Sequence, residues 1–239
     1  MQNRYRIPLV FAGGLALWTS LALVAPAPSQ AQSPAVVKVP EAGVPETRTL
    51  HGKFVRAASN NEGYVILGYQ PANRSIGGEW MLLDVGMTVL GKTPNYTLTR
   101  DAISIETPDG KTLAMATSSE QRAGGTQAVQ KRANMQRDSI NYFPRSANQP
   151  CRLGFFSDLD SPAMPFDQVE LSTNRACVGR LYFHVPGGIA YGQHWLNVKF
   201  QNSLVRVPFR ILTKDEEKFV GKNLKDLQKQ VDEAFAPKS

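Results

Sequence analysis

The chain has only two cysteines, Cys151 and Cys177, and only three histidines among its 239 residues. Beyond residue 31 it contains no G-x-S-x-G, H-E-x-x-H, paired C-x-x-C, P-loop or G-x-G-x-x-G. Those gaps remove the signatures of the common hydrolases, zinc peptidases and nucleotide-binding folds, and the expectation is no catalytic residue, no cofactor and no metal. The histidines agree with it. His51 stands apart from the others, and the alternation described below puts His184 and His194 on opposite faces, where they cannot share a metal. Asp158 and Asp160 are oxygen donors, but their segment lacks the glycine and terminal glutamate of an EF-hand loop.

No cysteine precedes Cys151, which excludes a lipid-anchored N-terminal cysteine. What the N-terminus does have is Arg4 and Arg6 without an acid, an uncharged run from Ile7 to Val24, and the small-residue stretch Ala25-Pro26-Ala27-Pro28-Ser29-Gln30-Ala31. That order predicts a signal peptide over residues 1–31 cleaved after Ala31, and hence a periplasmic or secreted protein starting at Gln32. The run is also long enough to span a bilayer, so an uncleaved segment would be the one attachment to a membrane. Without Arg4 and Arg6 the formal charge falls from +7 to about +5, with the bases scattered. No nucleic-acid footprint results, and the expected partner is an envelope protein or an anionic polymer. In an oxidising compartment the two cysteines pair most economically with each other. Closing that loop would stabilise the fold by roughly 3 to 4 kcal/mol.

Three prolines between Gln32 and Thr47 mark an extended tether over residues 32–48. Short β-rich runs between turn signals follow over 49–212: Phe54-Val55, Tyr64 to Tyr69, Trp80 to Val85, Met87 to Leu90 and Ile103 to Glu106. Thr107-Pro108-Asp109-Gly110-Lys111 is a hairpin turn, because proline presets φ and glycine takes the positive φ. From Gly179 to Leu212 strict alternation in three runs predicts an antiparallel meander with one buried face, with Tyr182 and His184 pointing out and Pro208 on an edge strand. Outward Tyr182, Tyr191 and Trp195 near His184 are a candidate aromatic patch, unless a loop or the C-terminal helix covers them.

Two segments depart from this pattern. Residues 118–150 form a polar excursion with one short helix, and Arg122, Lys131, Arg132, Arg137 and Arg145 make it a candidate basic binding loop, with a plain solvated loop as the alternative. Thr213-Lys214-Asp215-Glu216 is a capping box that starts an amphipathic helix over 213–236. Its stripe of Val220, Leu224, Leu227 and Val231 either packs on the chain's own sheets or mediates self-association.

The stretch Ile103-Ser104-Ile105-Glu106-Thr107-Pro108-Asp109-Gly110-Lys111-Thr112-Leu113, with the later Gly179-Arg180-Leu181-Tyr182-Phe183-His184-Val185-Pro186, resembles the extracellular immunoglobulin-like sandwiches of the telokin-like bacterial family. The resemblance implies a non-enzymatic extracytoplasmic module and carries no ligand with it. The expected fold is therefore all-β: an immunoglobulin-like antiparallel β-sandwich with a long middle excursion and a C-terminal α-helix. The expected role is an exported binding or assembly module of the cell envelope. The alternatives are an envelope structural factor that oligomerises through the helix, or an enzyme with an unrecognised site.

Overall fold

The computed structural model describes residues 47–136, 138–157 and 164–235. The signal segment, its cleavage point, the tether up to residue 46, Arg137 and the Asp158/Asp160 pair lie outside the described residues. The structure is mostly β-sheet. Strands β1 (Thr47–Leu50), β2 (Val55–Ser59), β3 (Gly63–Gly68), β4 (Trp80–Val89), β8 (Gln149–Arg152) and β10 (Arg175–His184) form a six-stranded sheet in the order β1-β2-β3-β4-β10-β8. Strands β6 (Ile103–Glu106), β7 (Thr112–Ala114), β11 (Gly192–Lys199) and β12 (Leu204–Ile211) form a second sheet in the order β12-β11-β6-β7. A two-stranded ribbon joins β5 (Tyr96–Thr99) to β9 (Gln168–Leu171).

One apolar core draws on both larger sheets. From the six-stranded sheet come Val65, Leu67, Met81, Leu83, Val85, Leu181 and Phe183, and from the four-stranded sheet Ile105, Leu196, Val198, Val205, Val207 and Phe209. The predicted alternation of β11 and β12 holds residue by residue, because period two puts every second side chain on the core face. At one end, buried polar groups tie the β2–β3 turn to the β11–β12 turn. Asn60 donates to Ser203 Oγ at 2.8 Å, and Ser203 and Asn202 both donate to the Glu62 carboxylate at 2.7 Å.

Three expectations need correction. The three alternating runs do not make one meander: β10 pairs with β4 and β8 in the six-stranded sheet, while β11 and β12 pair with each other in the four-stranded one. The chain changes sheet at Pro186-Gly187-Gly188, where both glycines have positive φ. Alternation reports that one face is buried and says nothing about which strand lies alongside. Tyr182 is also not outward and exposed. It is fully buried, its ring 4.9 Å from that of Phe156, because the middle excursion and its neighbours cover the outer face of β10 as well. Trp80 to Val89 is likewise one strand where the sequence reads as two.

The excursion is folded against the sheet. It forms α2 (Ser118–Ala123) and α3 (Gln127–Met135) in place of one short helix, then runs back over the outer face of the six-stranded sheet. There Ile140 and Phe143 pack with Val55, Ala57, Ile66 and Tyr64. Gly86, mid-strand in β4, makes room for the Phe143 ring, since a Cβ at that position would stand 2.5 Å from it. After β12 the expected helix begins at Thr213, whose hydroxyl and the Glu216 carboxylate form the predicted capping box. It breaks at Asn223 into α4 (Lys214–Lys222) and α5 (Leu224–Phe235), and α5 lies along β1. Pro208 sits on β12, an edge strand of its sheet, where its missing N–H costs no ladder bond.

Cys151 and Cys177 are bonded to each other and face one another in register on the parallel strands β8 and β10. The bond fastens the short edge strand β8 to the sheet. The Cys151→Ala/Cys177→Ala double variant is expected to unfold at lower denaturant, with a loss of about 3 kcal/mol in chemical denaturation. An unchanged midpoint would mean that the bond adds nothing to the fold.

Candidate functional site

Among the described residues a concave surface lies where β4 begins. Helix α1 (Gln70–Asn73) starts with Pro71 in its first turn, and Ser75 Oγ bonds back to the Pro71 carbonyl at 2.8 Å. Gly77, at positive φ, then turns the chain into β4, and the 77–78 turn is held against Ile189 by two backbone hydrogen bonds of 2.9 Å. Opposite it, α2 begins at a second capping box of Thr117 and Glu120 and ends at Gly124. Gly124 presses on the Trp80 indole, where a Cβ would stand 2.1 Å from the ring, and Gly125 turns into α3 with positive φ. The Thr126 hydroxyl is used internally, accepting from Gln121 Nε2 and donating to the Gln121 carbonyl.

Between these two walls is a cleft of about 380 Å³. Ile76, Trp80, Ala128 and Val129 supply its apolar lining, and Arg74, Arg132 and Glu79 its charged one. Arg132 Nη1 donates to the Arg74 carbonyl at 2.6 Å and to Ser75 Oγ at 2.9 Å, so this arginine joins α3 to the far wall. The Arg74 guanidinium turns away to grip Glu217 of α4 through two bonds of 2.6 and 2.7 Å. The hydrogen bonds from Arg74 and then Lys53 hold the Glu217 carboxyl down at about 2. At the other end His184 lies 5.2 Å from the Trp80 ring and 3.8 Å from the Glu79 carboxylate.

The sequence-predicted basic cluster is dispersed. Arg122, Lys131 and Arg145 are exposed, Arg132 is half-buried in the cleft wall, and Arg137 lies outside the described residues. Of these bases Arg132 is part of the segment's packing, through its bonds to the Arg74 carbonyl and Ser75. The aromatic patch is not assembled either. Tyr182 is in the core, Tyr191 is half-exposed, and Trp195 lies between the guanidinium groups of Arg48 and Arg206 at 5.3 and 4.5 Å. Sequence reading passed over Ile76, Trp80 and Val129. The signal available was two glycine pairs, Gly77-Gly78 and Gly124-Gly125, of which Gly78 and Gly125 line the cleft.

The three histidines stay apart. His51 stacks on Tyr142 at 4.4 Å and shares a hydrogen bond with Thr49, His184 is on the surface, and His194 is buried beside Phe209 with Nδ1 3.0 Å from the Gly192 carbonyl. Among the described residues no group of three His, Cys, Asp or Glu side chains is placed to hold a metal ion. No helix among them is long and apolar enough to cross a membrane. No family model matches the chain, and no curated protein or solved structure does so either.

Two outcomes follow from this geometry. Arg132→Glu is expected to lower stability by about 1 to 2 kcal/mol, because it breaks two bonds across the cleft, while Lys131→Glu stays within about 0.5 kcal/mol. Equal unfolding midpoints for the two variants would count against the joining role of Arg132. Burial, opposed by the Gly192 carbonyl and Asp109, holds the His194 imidazole below its ordinary value of 6.5. Below that pH the unfolded chain therefore takes up a proton that the folded one resists, so stability is complete above it and falls as pH drops. His194→Phe should flatten the decline in denaturation midpoint between about pH 6.5 and 5. An unaltered pH profile in that variant would exclude His194 as its source.

Proposed function

We propose that the protein is an exported, non-enzymatic binding module of the cell envelope, built as an immunoglobulin-like β-sandwich, that engages its partner at the cleft between residues 74–80 and α3. The observation that carries the reading is how the excursion is used. A long polar segment is braced by the capped, glycine-terminated helix α2, by α3 and by Arg132, and its product is a mixed apolar and charged concavity at the end of a rigid strand. The hydroxyls nearest the cleft favour binding over catalysis: Ser75 is bonded to Pro71 and Arg132, and Thr126 to Gln121, so neither faces a base that could activate it. The export half of the proposal rests on the order of charged, apolar and small residues before Gln32, and a disulfide agrees with an oxidising compartment.

Self-association through Val220, Leu224, Leu227 and Val231 has less to support it. All four side chains are half-buried within the chain's own fold, with α5 against β1 and Val220 packed on the core. Anionic polymers are also a weaker choice of partner than a protein, because the exposed bases Arg122, Lys131 and Arg145 do not line the cleft.

A photoreactive residue placed at Ala128, an exposed cleft position, tests the reading in intact cells. Irradiation is expected to give a discrete heavier adduct from position 128 and none from exposed Lys92, which does not line the cleft. Absence of an adduct at 128, or equal labelling from both positions, would overturn it.

A further inference from the structure

Three features of the cleft narrow the chemistry of what it takes, on the reading that it is the binding surface. Arg132 is held rigidly through Nη1 alone. Its Nη2 and Nε make no hydrogen bond among the described residues, leaving one fork edge of a pre-oriented guanidinium free. Arg74, the other lining cation, is already closed by the two oxygens of Glu217. A single available fork suits a single carboxylate better than a polyanion. Glu79 on the same lining, 63% exposed, would repel a second negative charge and can accept from backbone N–H groups.

The apolar part has matching scale. Ile76 is 37% exposed, and Trp80 is half-buried with Gly124 against its ring. A volume of about 380 Å³ is near the lower end for ligand sites, room for one or two amino-acid residues and too little for a folded element. We propose that the cleft takes the C-terminal end of a partner polypeptide. The terminal carboxylate sits on the free edge of Arg132, an apolar last side chain lies over Trp80 and Ile76, and backbone N–H groups upstream point to Glu79. Recognition of a chain end by one cation and one apolar shelf needs no induced fold, since both walls are already fixed by Arg132.

The probe is the peptide Gly-Ser-Gly-Ala-Leu with a free C-terminus, set against the same peptide as its C-terminal amide. Binding is read from the Trp80 indole N–H resonance of the labelled exported protein, with the Trp195 indole as internal reference. The free acid is expected to shift Trp80 saturably and leave Trp195 still, and the amide to bind at least about tenfold more weakly, the scale of one charge-assisted hydrogen bond. Ala128→Trp, which fills the cleft from an exposed helix position, should abolish the shift. Arg132→Lys, which keeps the charge and loses the fork, should weaken it by about tenfold. Equal binding of acid and amide, or no response of Trp80 at about 1 mM peptide, overturns the inference. If position 128 still yields its photo-adduct in that event, the binding-module reading survives and only the chain-end chemistry falls; loss of both removes the two together.

Discussion

β4 is paired on both sides, with β3 along one edge and with β10 through eight residues along the other, and nearly all of its side chains are buried. A strand in that position needs a cover on each face. The four-stranded sheet supplies one, and the middle excursion supplies the other. On the outer face Asp84 pairs with Arg180 at 3.3 Å, with side chains 8% and 11% exposed, and Arg180 also bonds Asn134 at the end of α3 at 2.6 Å. A buried ion pair adds little net stability after desolvation, but removing one partner leaves an unmatched charge, so the pair fixes where the excursion can sit. The excursion's length is therefore a consequence of β4's central position. The cleft forms where this cover ends, at Trp80.

A second point of convergence holds the far side. Arg100, between β5 and β6, donates to the carbonyls of Ala116 and Phe155 and to Ser118 Oγ, and pairs with Asp167 at 3.1 Å. Its guanidinium also lies 4.8 Å from the Phe156 ring. One planar group with five donors thus collects three separate loops, a task that a point charge such as lysine would perform poorly. Ser118 opens α2, so the position of that helix, and through it Gly124 over Trp80, depends on Arg100 as well as on the Asp84–Arg180 pair.

Much of this was legible in local chemistry. The Thr107 to Lys111 turn closes β6 onto β7 with Gly110 at positive φ, Thr213 caps α4, and alternation gives the core face of β11 and β12, because each depends on residues within a few positions of one another. The cysteine pairing was expected from the count of two and from the export reading of the N-terminus. What the sequence did not reveal depends on distant partners. Tyr182 alternates like an exposed residue, yet the ring of Phe156, far from it in the chain, packs against its own. The break at Asn223 is invisible to a helical stripe that continues in phase across it. Arg132 reads as one more surface base in a basic loop, and only the approach of Arg74 and Ser75 makes it a brace.

That last displacement of meaning bears on how the cleft would work. A free arginine on a solvated loop must give up side-chain entropy to grip an anion, roughly 1 kcal/mol or more for each immobilised long side chain. In Arg132 that ordering has already been accepted in folding, through Nη1, so any ligand meets a fixed donor pair. The same is true of Trp80, whose ring is confined between Gly124 and His184. For a ligand of the proposed kind, specificity would then come from geometry. A ligand whose anionic group and apolar body are not spaced as Arg132 and Trp80 are spaced can satisfy one or the other, and loses the contribution of whichever it misses.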